Sequence, residues 1–135
     1  MTRLVVVGDA VLDRDIHGHV ERLAPDAPAP VVDTTAVVSR PGGAGLAAVI
    51  ASAQAEVVLI TALGHDGAGD ELKALLEATG VQVHDLGCDG ETSQKVRVRA
   101  DGRSLVRIDQ GGKTSANIGQ MTRAAGDILR SADAI

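Results

Sequence analysis

The chain has 135 residues, 44% apolar and 23% charged, the balance of one soluble globular domain with a modest core. It contains no Phe, Tyr or Trp, so the core must be aliphatic and no aromatic platform can stack a base or a sugar ring. A net charge of −5 argues against a nucleic-acid surface, which needs clustered Lys and Arg to displace phosphate counterions.

The first expected element is a strand buried on both faces, Leu4–Val7, ending at Gly8-Asp9. That run is too short for a signal-peptide core or a membrane span, and no 18-residue apolar stretch follows it. The single cysteine, Cys88, allows neither an internal disulfide nor a Cys-based metal site, and it fits a reducing, cytoplasmic setting. Residues 9–20 read as a polar loop carrying Asp9, Asp13, Arg14, Asp15, His17 and His19. Pro25, Pro28 and Pro30 then impose an extended path. Val31–Ser39 has strand propensity, and Pro41-Gly42-Gly43 is expected to stop it.

From Ala44 the apolar period becomes helical, predicting a helix near 43–54 with Leu46, Val49, Ile50 and Ala53 on one face. Glu56–Thr61 is a second buried strand. A helix over about 68–79 follows, with Leu72, Leu75, Leu76 and Thr79 sharing a face and Gly80 closing it. Val81–Asp85 is a short strand. This alternation implies a parallel sheet with right-handed crossovers.

Gln94–Ala100 sets Lys95, Arg97 and Arg99 against Val96, Val98 and Ala100, and Asp101-Gly102 is a strong two-residue hairpin signal before Arg103–Asp109. Simple pairing around that turn puts Arg97 opposite Val106 and Val96 opposite Arg107. Neither face is then purely apolar, which suits a flap over a site. Ser115–Arg130 reads as a third helix with Ile118, Met121, Ala125 and Ile128 or Leu129 inward, and residues 131–135 resemble the opening of another strand.

Several local patterns invite chemistry. Gly112-Lys113-Thr114 matches the end of a Walker phosphate loop, but the required first glycine falls on Arg107, so a linker is expected. Gly43-Ala44-Gly45-Leu46-Ala47-Ala48 matches a dinucleotide fingerprint, with Pro41 in the strand junction and no well-placed acidic residue after it. His17, His19, His65 and His84 lack a recognisable metal-ligand spacing and read as loop or surface residues. Asp13 lies beyond a strand's C-terminal end, where α/β sheets bind ligands. Gly64-His65-Asp66-Gly67-Ala68-Gly69-Asp70 could bind an anion, although turn glycines and helix capping by Asp66 are the preferred explanation.

Taken together, five segments resemble the ribokinase-like (PfkB) carbohydrate kinases, and most closely their heptose-7-phosphate kinase branch. They are Val7–Arg14, the proline-rich Arg22–Val31, Pro41-Gly42-Gly43-Ala44 ahead of a helix, Gly64-x-Asp66-x-x-Gly69, and the ribbon formed by 92–98 with 105–109. One position departs: the family usually has Asn three residues after the di-glycine, and here it is Leu46.

The resemblance implies a three-layer α/β fold with a parallel central sheet and a β-hairpin lid. Residues 1–135 would be the N-terminal, sugar-binding portion, with lid segments at about 11–40 and 93–110 and the nucleotide-binding half beyond Ile135. It also implies ATP- and Mg²⁺-dependent phosphorylation of a sugar or sugar-phosphate hydroxyl, heptose-7-phosphate-like, with no catalytic base in this chain. By position, Asp13 would hold sugar hydroxyls, and Gly42 and Gly43 would present backbone to the sugar. Lys95 and Arg107 would meet the substrate's own phosphate. The resemblance leaves room for a homodimer through the lid, and no nucleic-acid or membrane partner is expected. Asp70, within Gly67-Ala68-Gly69-Asp70, is expected to be a first-turn helix residue and not the base. The alternatives are a non-catalytic sugar-phosphate-binding or regulatory module, and a small Rossmann-type nucleotide-binding domain.

Overall fold

The structure, a computed structural model, describes residues 1–113 and 117–135. In chain order the elements are β1 (Arg3–Val7), β2 (Ala10–Leu23), β3 (Pro30–Gly43), α1 (Ala44–Ser52), β4 (Glu56–Thr61), α2 (Gly67–Glu77), β5 (Gln82–Asp85), β6 (Gln94–Ala100), β7 (Arg103–Gln110) and α3 (Arg123–Arg130).

Two sheets organise them. The first has the order β1-β4-β5 with every pairing parallel, Val5 opposite Val58 and Leu59 opposite Val83. Its central strand β4 is continuously apolar from Val57 to Ile60 because both faces are covered there. Val57 and Leu59 pack with Ala48, Leu72 and Leu76 of α1 and α2, whereas Val58 and Ile60 pack with Ala125, Ile128 and Leu129 of α3. The result is three layers, as expected. Leu4 also pairs in parallel with Ala134 on the free side of β1, so the strand opening expected at 131–135 is present.

The second sheet is mixed, in the order β3-β2-β6-β7, and it is larger than the two-stranded ribbon anticipated. Residues 9–20 are not a loop. Ala10–Leu23 is one long strand, antiparallel to β3 and parallel to β6. Asp13 and Asp15 occupy one face and Arg14 the other, so charge on both sides gives the segment the polarity of a loop, with only Leu12 and Ile16 as apolar markers between residues 12 and 19. Pro41-Gly42-Gly43 likewise continues β3, with Pro41 opposite Leu12. An edge strand tolerates proline because its outer N–H has no partner to lose.

The helices differ from expectation in detail. The buried positions of α1 are Gly45 and Ala48, with Leu46 and Ile50 exposed. Its sequence is apolar all round, so periodicity does not select the inner face. Close packing does: a Cβ on Gly45 would sit 3.2 Å from Pro41 and 3.4 Å from Leu76. In α2, Leu72 and Leu76 are fully buried, and Gly80 follows at φ +85° as a closing residue should. The third helix begins at Arg123, capped by the Thr122 hydroxyl, which accepts from the Ala125 N–H at 3.0 Å. Residues 115 and 116 of the anticipated helix lie outside the described residues. Ile118 instead bridges to Cys88, and both Ile118 and Met121 are exposed.

The hairpin turn forms as expected, with Asp101 at φ 51° and Gly102 at φ 78°. Nothing lies within 4 Å of a Cβ built on Gly102. Gly102→Ala should therefore cost only the backbone penalty, about 1–2 kcal/mol, seen as a lowered thermal midpoint by circular dichroism. The strand register is different. Ala100 faces Arg103 and Arg99 faces Ser104, but Val98 faces Val106, so Leu105 is an extra, bulged residue. That slip of one residue puts Arg97 opposite Arg107 and Val96 opposite Ile108. Charged and apolar side chains are thereby sorted onto opposite faces.

Candidate functional site

Sorting by register creates one charged surface. On β2, Asp13 and Asp15 point to the same side, with Arg40 of β3 opposite Asp13. On β6, Lys95 and Arg97 stand beside Asp13 and Asp15, and on β7 Asp109 and Arg107 stand beyond them. The reverse face is fastened to the α/β body by Leu12, fully buried in the main core, and by the ion pair of Arg14 with Glu71 of α2.

The contacts across this surface are diagonal. Arg40 Nη1 donates to Asp15 Oδ2 at 3.0 Å, and Arg97 Nη1 lies 3.6 Å from Asp13 Oδ1. The second distance is an ion pair without a hydrogen bond. Asp13 Oδ1, Asp15 Oδ1 and Arg97 Nη1 are all buried atoms with no hydrogen-bond partner among the described residues. Burial works against charge on Asp15, but the Arg40 hydrogen bond and the charges of Arg40, Arg99 and Arg97 outweigh it and hold its pKa below the ordinary 3.8. Arg107 chelates Asp109 through two hydrogen bonds, 2.7 and 2.9 Å. Those bonds raise the arginine's pKa and lower the carboxylate's.

Gly42 and Gly43 complete the site from β3. A Cβ on Gly42 would run into Asp13 Oδ2 and come within 2.8 Å of its Cγ, so the carboxyl group rests directly against the glycine backbone. Gly43 adopts φ 58°, ψ −134°, which side-chain-bearing residues essentially do not reach, and a Cβ there would lie 2.5 Å from the Asp9 carbonyl oxygen. That turn lets the Ala44 N–H donate to the Asp9 carbonyl at 2.9 Å and starts α1 immediately beside Asp13. It also disposes of the dinucleotide fingerprint, because the strand entering these glycines belongs to the second sheet and is antiparallel to its neighbour.

The structure thus brings together Asp13, Gly42, Gly43, Lys95 and Arg107, all anticipated from sequence, though Asp13 sits on a strand and not in a loop. Sequence reasoning places Arg97 on the ribbon without assigning it a role, and gives none to Asp15 or Arg40. The alternation of β6 was a signal for Arg97, but the bulge at Leu105 that aligns it with Arg107 was not visible.

The other candidates fall elsewhere. Asp66 caps α2, accepting from the Gly69 N–H at 2.8 Å, and also accepts from the Thr92 N–H at 2.8 Å. The Gly64–Asp70 segment is therefore a structural fastener, and Asp70 lies in the first turn of α2 as expected. His19 pairs with Asp101 and His84 with Thr122, both exposed. Among the described residues no three His, Cys, Asp or Glu gather as a metal-binding group. Gly112 and Lys113 follow β7, and Thr114 lies outside the described residues. A hollow of about 340 Å³ lies away from Asp13, between His65, Leu86, Cys88, Asp89 and Ile118.

A family model described as pfkB family carbohydrate kinase matches residues 1–129. The chain belongs to this family. Among its relatives are proteins named bifunctional protein HldE, from Streptomyces coelicolor at 47% identity over 135 residues and from Alkalilimnicola ehrlichii at 43% over 111 residues. The alignments cover 99% and 79% of this chain but only 28% and 23% of those proteins. In solved structures the fold matches a carbohydrate kinase from Agrobacterium tumefaciens, with a TM-score of 0.72 at 21% identity, over 98% of this chain and 44% of that one. It also matches the Escherichia coli phosphofructokinase-2 in complex with fructose-6-phosphate, with a TM-score of 0.57 at 22% identity, over 79% and 34% of the two chains. Membership of the pfkB family agrees with the ribokinase-like architecture, and the chain spans about a quarter of the length of those relatives. Among the described residues no helix is long and apolar enough to cross a membrane.

Proposed function

We propose that this chain supplies the acceptor-binding part of an ATP-dependent kinase for a phosphorylated sugar, heptose-7-phosphate-like. The observation that carries the proposal is Asp13: a carboxylate oxygen with no donor among the described residues, against a glycine backbone, on the charged face of the second sheet. A carboxylate so placed accepts hydrogen bonds from sugar hydroxyls, which replace the donors it lacks. Gly42 and Gly43 let backbone approach the same ring. Lys95 and Arg107 supply cations for a phosphate already on the sugar, and the sheet formed by β3, β2, β6 and β7 would act as the lid over it. Kinship in sequence with the HldE proteins favours a heptose phosphate over a simple hexose. The exposed Val37 of β3 and Val106 and Ile108 of β7 support pairing of two chains through this sheet.

Phosphoryl transfer depends on positioning the donor and neutralising its charge, which ATP with Mg²⁺ would bring when bound. The described residues do not fit that group: the helix-opening turn at Gly43 is closed by the Asp9 carbonyl, and no acidic cluster is present for a metal. This chain's contribution is to orient the acceptor hydroxyl and exclude water from it. The 135-residue chain by itself should therefore show no sugar-dependent ATP consumption in a coupled ADP assay, while binding a heptose 7-phosphate in calorimetry. Turnover that Asp70→Ala abolishes would show that the chain carries its own base and donor site.

A further inference from the structure

Charge counting on the second sheet points to one residue that the assignment above does not use. Five cations, Arg40, Lys95, Arg97, Arg99 and Arg107, share the surface with three carboxylates, Asp13, Asp15 and Asp109. The surface therefore carries a surplus of two positive charges within a chain of net charge −5. Arg97 is at its centre. It stands opposite Arg107 across β6 and β7, a like-charge pairing that opposes sheet formation unless an anion joins it. Its Nη1 is buried with no acceptor among the described residues, and its ion pair with Asp13 is too long to be a hydrogen bond. Arg107, by contrast, already gives its Nε and Nη2 to Asp109, which leaves only Nη1 outside that pair.

We propose that Arg97 is the specificity-determining residue that requires the acceptor to be a phosphate ester. The inference rests on the sugar-kinase assignment of Asp13 and refines it. A phosphate monoester carries close to two negative charges at neutral pH, which matches the local surplus. A guanidinium takes such a group through paired N–H···O bonds. Without substrate, Arg97 leans on Asp13 and partly neutralises it. When the phosphate draws the guanidinium away, Asp13 is released to accept a sugar hydroxyl. A free sugar offers nothing to take Arg97, so it must compete with the arginine for the carboxylate.

The test is calorimetric titration of the 135-residue chain with a heptose 7-phosphate, with the dephosphorylated heptose, and with inorganic phosphate. The wild-type chain should prefer the ester at least tenfold over the free heptose and should bind inorganic phosphate weakly. Arg97→Gln should bring the ester-to-heptose ratio to within about threefold of unity and abolish phosphate binding, with Arg97→Lys restoring part of both. Arg103→Gln removes the same charge from the hairpin tip and should keep the wild-type ratio, which separates contact from long-range attraction. A ratio unchanged in Arg97→Gln, or equally reduced in Arg103→Gln, overturns the role of Arg97 while leaving Asp13 as the hydroxyl acceptor. Failure of the wild-type chain to bind either sugar overturns both assignments. Thermal melts of each variant, with the exposed Arg107→Gln as a second site on the same surface, keep the comparison to folded protein: an Arg107→Gln that lowers the ratio while Arg97→Gln does not would transfer the role to Arg107.

Discussion

Asp13→Asn should weaken heptose-phosphate binding to this chain by roughly ten- to a hundredfold, measured by titration calorimetry. Hydrogen bonds to a charged group contribute about 1.5–3 kcal/mol, and a neutral amide retains only part of that. The amide also presents an N–H₂ toward the Arg97 guanidinium, where a carboxylate oxygen stood 3.6 Å away. Folding should suffer little, because the Arg97 contact is too long for a hydrogen bond and an amide occupies the same volume as the carboxylate. Gly42→Ala approaches the same site by steric means. Its methyl group would collide with the Asp13 carboxylate, so either the carboxylate turns away or β3 shifts from β2. Binding should fall at least as far as in Asp13→Asn, and here the thermal midpoint should fall too. Unchanged affinity in both variants would remove Asp13 and the di-glycine from the site.

The parallel core was legible because its strands have both faces covered. Runs such as Val57-Val58-Leu59-Ile60 leave no alternative to a buried strand, and the leucines of α2 repeat at helical spacing. The second sheet was harder to read. A strand with charge on both faces, such as β2, has the polarity of a loop until its partners are known, and its partners lie both next in sequence and about 80 residues on, at β6. Asp13, Gly42 and Gly43 came through a family pattern that preserves their order in the chain. Arg97 did not, because its neighbours depend on a bulge at Leu105 that no local pattern announces. The small-residue face of α1 escaped for a related reason: Gly45 and Ala48 are inside because backbones approach there, which hydrophobicity does not record.

Asp66→Ala should destabilise the chain by about 2–4 kcal/mol at neutral pH, although the residue lies outside the proposed binding surface. Loss of a helix N-cap costs about 0.5–2 kcal/mol. Asp66 also satisfies the Thr92 N–H, and leaving a half-buried donor unpaired adds about 1–3 kcal/mol. Thr92 is itself buried, with its hydroxyl accepting from the Gly64 N–H at 2.9 Å, and it lies two residues before β6. The same carboxylate thus caps α2 and fixes where Lys95 and Arg97 enter the second sheet. Burial alone would raise the Asp66 pKa, but hydrogen bonds from the backbone and side chain of Thr92 and the backbone of Gly69, with the nearby charge of His65, bring it below the ordinary 3.8. A depressed carboxylate pKa means that the unfolded chain binds the proton first. The stabilisation is therefore complete above the unfolded pKa near 4 and is lost as pH falls through the lower, folded value. Urea unfolding of the wild type should show stability declining on acidification below about pH 4, and Asp66→Asn should flatten part of that decline. A wild-type stability at neutral pH matched by Asp66→Ala would mean that the Gly64–Gly69 segment is not a fastener. Its glycines and carboxylate would then be free to serve a ligand instead.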